Sequence, residues 1–149
     1  MQRLFDYAME LGVRVEFTDL SHLKHNGDYC HKRKLVRIQD GMQPRKTRWV
    51  FGHELGHATV GDEPSMFPWI QQRQEDKADE WAAHFLIDPN DFREVEEQHN
   101  GHIPSMAVDL YVLEKSVRAY MRTLNRIGDE LYIAPKMGVG QWAAKLEVA

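Results

Sequence analysis

A chain of 149 residues, 28% charged and 42% hydrophobic, is long enough for a single core and is read as one compact unit. Its net charge of −4 makes no general case for nucleic-acid or membrane binding, and no apolar run approaches the ~20 residues of a membrane span. Cys30 stands alone, which excludes an internal disulfide and fits a reducing compartment. The first ten residues carry acids and lack a signal peptide's apolar core, so a cytoplasmic location is expected.

Leu4, Tyr7, Ala8 and Leu11 recur at helical spacing, and Gly12 ends that helix. Val13, Val15 and Phe17 alternate with Arg14, Glu16 and Thr18, the pattern of a strand with one buried face. His22 and His25 fall in a polar loop closed by Asn26-Gly27 and read as solvated side chains. Tyr29-Cys30-His31 and Leu35-Val36-Arg37-Ile38 read as strands joined at Lys32-Arg33. A small antiparallel sheet of about three strands is therefore expected, with Cys30 half-buried in it. Basic residues crowd the stretch from Lys32 to Arg48 and acidic ones the stretch from Asp62 to Glu97. These read as two solvated faces that partly neutralise each other.

Asp40-Gly41-Met42-Gln43-Pro44 ends the sheet, and Pro44 suits the first turn of a helix. That helix carries His53-Glu54-Leu55-Gly56-His57, the pattern H-E-x-x-H. Each helical residue advances about 100°, so His53 and His57 point the same way, one turn apart. Both imidazoles can then reach one Zn²⁺ at roughly 2.0–2.1 Å. Glu54 projects beside them, placed to take a proton from a metal-activated water rather than to bind the ion. Gly56 in the helix interior costs roughly 1 kcal/mol relative to Ala. Either another element comes close beside the metal, or a weak spot is tolerated; the residues leave both open.

The helix must stop near Gly61-Asp62-Glu63-Pro64. The proline-broken, aromatic stretch Ser65-Met66-Phe67-Pro68-Trp69 is expected to pack over the helices. A third protein ligand is needed. The continuation that places Gly and then His at three-residue steps fails, because those positions hold Val60 and Glu63. A glutamate from a later helix is the other route. From Glu75 to Leu86 the chain reads as such a helix, with Glu75, Ala78, Asp79, Ala82, Ala83 and Leu86 on one side. Its alanines allow close approach opposite Gly56. Glu75 can then complete the site while Asp79, one turn on, accepts a hydrogen bond from a ligand histidine. His84 lies on the opposite side and is excluded from the site.

The strand pair, the His53–His57 motif, and Glu75-x-x-Ala78-Asp79-x-Trp81-Ala82-Ala83 followed by Leu86-Ile87-Asp88-Pro89 resemble the ImmA/IrrE metallo-endopeptidases, a gluzincin-type group. The resemblance covers roughly residues 13–125. The family's second motif usually reads E-x-x-A-N-x-F-A-A-x-L-L-x-P. This chain departs from it at Asp79, Trp81, Phe85 and Ile87-Asp88, which bears on packing around the site and not on the ligand positions. The resemblance implies one zinc ion held by His53, His57 and Glu75, with Glu54 as base. It also implies a protein substrate, a transcriptional repressor cut at a defined site, in bacteria, phages or mobile elements.

Asp88-Pro89-Asn90-Asp91 caps a further helix through about Gln98, and Asn100-Gly101 ends it. Met106–Leu113 and Ser116–Leu124 then read as two short helices with a turn near Tyr111-Val112, resembling a helix-turn-helix. Lys115, Arg118, Arg122 and Arg126 form one stripe that can contact phosphates. Support or partner docking is favoured over DNA reading, as the same segment supports the catalytic part in the resembled family. Leu131-Tyr132-Ile133 reads as a short strand and Gly138-Val139-Gly140 as a loop; Trp142, Leu146 and Val148 either pack back on the core or fray.

The expectation is an α+β chain: a zincin-like catalytic part over 1–99, a helix-turn-helix-like support over 100–127, and a tail over 128–149. The favoured function is a zinc endopeptidase acting on a repressor. A repressor-binding module that does not cut, and a DNA-binding regulator acting through residues 104–126, are the alternatives. Leu35–Gln39 is the sheet edge expected to hold substrate as an added strand. His99, His102, Tyr111 and Tyr120 are the candidates for stabilising the transition state.

Overall fold

The computed structural model describes residues 1–127, 130–133 and 144–147, with side chains through Leu124. Helix α1 (Gln2–Glu10) buries Leu4 and Ala8, and the chain turns out of it at Gly12 with φ +67°. The strands β1 (Arg14–Thr18), β2 (Gly27–Cys30) and β3 (Leu35–Gln39) form one sheet in the order β1-β3-β2. The fold class is therefore α+β, as expected, but the sheet is mixed. β2 pairs antiparallel with β3, whereas β1 runs parallel to it, Val15 opposite Val36.

The cause lies in β3. Leu35-Val36-Arg37-Ile38 is nearly continuous in apolar residues, and Leu35, Val36 and Ile38 are each at most 1% exposed. A strand apolar on both faces belongs in a sheet's centre, so charged β1 and short β2 take its two sides. Phe17 on edge strand β1 accordingly stays 41% exposed, packing against Phe5 with 6.2 Å between ring centres.

Helix α2 (Pro44–Val60) starts with Pro44 in its first turn and ends where Gly61 adopts φ +71°. It runs beneath the sheet and buries Trp49, Phe51 and Leu55. Fully burying such side chains contributes about 1.5–3 kcal/mol each. Helix α3 (Pro68–Leu86) begins well before Glu75, because Pro68 suits a first helical turn as Pro44 does. The aromatic stretch before it does not cover the helices. Met66 is 87% exposed and Trp69 67%, and Phe67 packs on Trp69 rather than on the core. Trp81 and Phe85 stack at 5.0 Å, and Tyr7 of α1 lies against both.

Asp88 caps α4 (Pro89–Gln98), its carboxylate accepting from the Asn90 and Asp91 amides. Helices α5 (Ile103–Asp109) and α6 (Glu114–Arg122) follow, separated by a turn in which Tyr111 takes φ +53°. They contribute Met106, Val117 and Tyr120 to the common core, and the helical pair packs on α3 through α6. Beyond them β4 (Leu124–Ile127), β5 (Glu130–Ile133) and β6 (Ala144–Glu147) make a second, antiparallel sheet in the order β4-β5-β6. The strand expected at Leu131–Ile133 is its centre. The expectations for Gly138–Gly140, Trp142 and Val148, and for the Leu146 side chain, lie outside the described residues. No described helix is long and apolar enough to cross a membrane.

Candidate metal centre

The site begins with two glycines on α2. A Cβ on Gly56 would lie 2.9 Å from Ala78 Cα and 3.0 Å from Ala78 O, backbone atoms of α3 that cannot swing aside. A Cβ on Gly52 would meet Ala82 Cβ at 3.3 Å. Close approach, and not a tolerated weak spot, is thus the reason for glycine at position 56. The small residues bring α3 near enough for its acids to reach the histidines of α2.

His53 Nε2 and His57 Nε2 lie 3.1 Å apart. Glu75 Oε2 is 3.2 Å from His53 Nε2, and Glu75 Oε1 is 3.4 Å from His57 Nε2. Each imidazole is anchored from behind: His53 Nδ1 donates to Asp79 Oδ1 at 2.7 Å and His57 Nδ1 donates to Asp62 Oδ2 at 2.9 Å. A carboxylate on Nδ1 selects the tautomer that leaves Nε2 with a free lone pair, the form that binds metals. Three electron-pair donors facing one another at such distances repel unless a cation lies among them.

A tetrahedral ion with bonds of roughly 2.0–2.1 Å holds its ligand atoms about 3.3 Å apart. The spacing of His53, His57 and Glu75 fits that requirement, and two imidazoles with one carboxylate are a donor set that zinc accepts. Without an ion, protons take its place. Burial disfavours a charged His53, but the bonds from Asp79 and Glu75 outweigh it and push its pKa up to about 9. For His57 burial again opposes, and Glu75 and Asp62 still raise it. The bonds to both histidines hold Glu75 well below the usual carboxylate range.

Glu54 is 6% exposed and points into the same cleft. Burial pushes its carboxyl up to about 7 against the opposing pull of the two imidazoles. Gly27 of β2 makes this pocket possible, since a Cβ there would come within 2.6 Å of Val50 Cγ1 and 3.0 Å of Glu54 Oε1. The cleft, about 640 Å³, is walled by His25 to Tyr29 on one side and by Asp62 to Pro64, Gln71 and Gln74 on another. Trp49 and Lys115 close a further part of its rim.

Several participants were not read from the sequence. Asp62 was taken only as part of a helix stop, although Gly61 in the left-handed region turns the chain so that Asp62 N bonds His57 O at 3.0 Å. A glycine stop followed by an acid was the available signal. Gln71 Nε2 donates to Glu75 Oε1 at 3.2 Å, one helical turn away. His25, read as a solvated loop residue, is exposed but lines the cleft mouth.

None of the four residues weighed for the transition state reaches the cleft. His99 pairs with Asp109 at 2.7 Å, and His102 with Ser105 at 2.8 Å. Tyr120 is 1% exposed between His84 and Phe92, and the Tyr111 ring lies under Arg48. His84 turns away from the metal ligands to bond Thr123 Oγ1. The expected basic stripe is interrupted as well: α6 ends at Arg122, so Arg126 falls on β4, while Arg118 pairs with Glu114 and Lys115 lies over Trp49.

Comparison with protein families matches residues 8–121 to the IrrE N-terminal-like domain of the M78 peptidases. No curated protein matches the chain. The match spans most of the chain and carries with it a peptidase-type, metal-dependent chemistry, to which the His53, His57 and Glu75 cluster corresponds in kind. The chain belongs to the IrrE N-terminal-like family of M78 peptidases.

Proposed function

We propose that the chain is a zinc endopeptidase that hydrolyses a peptide bond in a protein substrate, a transcriptional repressor of the helix-turn-helix kind. The observation that carries the first half is the convergence of His53 Nε2, His57 Nε2 and Glu75 within 4.8 Å, each imidazole held by its own carboxylate, with buried Glu54 alongside. The repressor as substrate rests on the family resemblance alone.

His53, His57 and Glu75 would hold the ion, and Asp79 and Asp62 would fix the two rings. A bound zinc supplies Lewis acidity, polarising a carbonyl and lowering the pKa of water to roughly 7. Glu54 takes a proton from the attacking water as its oxygen bonds the carbonyl carbon. The same carboxyl delivers that proton to the amine as the C–N bond breaks. Burial, which raises the Glu54 carboxyl, favours its holding the proton between the two transfers. The substrate strand would add to β2, not to Leu35–Gln39, because β3 is the sheet's centre while β2 is an edge on the cleft wall.

Elemental analysis of the full chain purified without chelator tests the metal. About one zinc per chain is expected, with most of it lost in Glu75→Ala. Zinc absent from a folded protein supplied with it would sink the proposal. Glu54→Gln separates cutting from sequestration: it should keep zinc and abolish cleavage of a co-expressed repressor. A Glu54→Gln variant that still derepresses fully would favour the binding module that does not cut. The α5–α6 pair is taken as support, since Arg45 Nη1 donates to Val112 O at 3.3 Å and Arg48 Nη1 to Tyr111 O at 2.7 Å, tying its turn to α2.

A further inference from the structure

Among the described residues lining the cleft, Lys115 is the only lysine or arginine. Four of the acids lining the cleft are engaged elsewhere: Asp28 by Arg37, Asp62 by His57, Asp79 by His53, and Glu75 by both histidines. Lys115 forms no ion pair among the described residues; its ammonium lies 4.8 Å from the centre of the Trp49 ring. That indole is 2% exposed and belongs to α2, one turn before His53.

The lysine does not reach the cleft by the accident of a flexible segment. It sits in the first turn of α6, and the turn before α6 is held to α2 by Arg45 and Arg48. The residue is exposed at the cleft rim; burial of part of its side chain pushes its pKa down, with Asp79 opposing. An ammonium carries three donors, and the face of an indole attracts its charge without using them up. An ammonium with unused donors, set at the rim of an otherwise acidic cleft, is a ready partner for one class of group: a carboxylate.

We propose that Lys115 is a specificity-determining residue that receives a carboxylate of the bound polypeptide, so that the helical pair takes part in substrate choice. This rests on the cleft being the peptide-binding site of the proposed endopeptidase.

Fluorescent peptide hydroxamates with amidated C-termini provide the probe, in two series that extend to either side of the metal-binding group. Each series carries Glu, Gln or Lys at the variable position, and binding to the zinc-loaded full chain is read by fluorescence polarisation. In one series the Glu probe should bind about fivefold tighter or more than the Gln and Lys probes. Lys115→Gln, which keeps a stem against Trp49, should remove the preference. Lys115→Arg should retain it, and Lys115→Glu should reverse it toward the Lys probe. A Gln probe with a free C-terminus separates a side-chain carboxylate from a chain-terminal one. Equal binding of Glu, Gln and Lys probes in both series overturns the role of Lys115 and leaves the peptidase reading standing. Failure of every hydroxamate to bind a chain shown to contain zinc overturns both.

Discussion

Two seams meet on helix α2, and they are built from opposite materials. Toward α3 the contact is made by the smallest groups, with Gly56 against the Ala78 main chain and Gly52 against the Ala82 methyl. Toward α5 and α6 it is made of long side chains: Arg45 and Arg48 reach the carbonyls of Val112 and Tyr111, and Lys115 reaches the Trp49 ring. The first seam sets distances among the candidate ligand atoms of His53, His57 and Glu75, where an error of half an ångström would remove a coordination bond. The second positions a whole helix pair, and flexible side chains can absorb small errors there. Rigid contact is found where the chemistry is least tolerant.

The sharpest way to break that contrast is a single methyl group. Gly56→Ala should cost about 1–3 kcal/mol through overpacking, despite the better helix propensity of alanine. That corresponds to a Tm lower by roughly 3–10 °C in calorimetry. It should also weaken zinc binding, because α3 is pushed away with Glu75 on it. Gly52→Ala places its methyl 3.3 Å from another methyl, so the same substitution one turn earlier should stay within about 1 kcal/mol of wild type. Equal effects at the two positions would show that backbone contact is not what distinguishes them.

Next in size are the two carboxylates behind the histidines. Asp79→Ala and Asp62→Ala should each lower zinc affinity by about 10–100-fold, measured by competition with a chromophoric chelator. Asp79 is delivered by α3 across the rigid seam and Asp62 by the turn that ends α2. A Gly56→Ala background should therefore blunt the Asp79→Ala effect more than that of Asp62→Ala.

Acidity provides a third probe. In the metal-free fold the bonds from Asp79 and Glu75 outweigh burial and push His53 up to about 9 from its ordinary 6.5, so its contribution to stability should be fully present below pH 6.5 and lost as pH rises through 9. Between pH 7 and 9 the Tm of chelator-treated protein should fall on this account. Zinc must displace the same proton, so its affinity should rise across that interval and its uptake should release acid into a weakly buffered solution. A zinc affinity flat from pH 7 to 9 would mean that His53 carries no proton to displace.

The smallest effect is expected at the second seam. Arg48→Ala removes one exposed hydrogen bond to the Tyr111 carbonyl and should cost about 0.5–1.5 kcal/mol with zinc affinity unchanged. A loss of zinc in that variant would show that the helix pair helps set the metal geometry after all.

What was legible in the sequence was local. The 3.6-residue period places His53 above His57 and Asp79 one turn from Glu75. Gly12 and Gly61 mark helix ends because the left-handed conformations found there suit glycine. Those relations live within one element, where chain connectivity fixes the geometry. The start of α3 was misjudged because Met66, Phe67 and Trp69 look like core and are largely exposed, and local composition does not say which apolar residues find a partner. The place of β3 at the sheet's centre, with β1 parallel to it, was set by which strand could bury both faces. The approach of Ala78 to Gly56 and the arrival of Lys115 over Trp49 depend on how separate elements dock. No period in the chain encodes a contact across sixty residues; packing of the assembled core decides it.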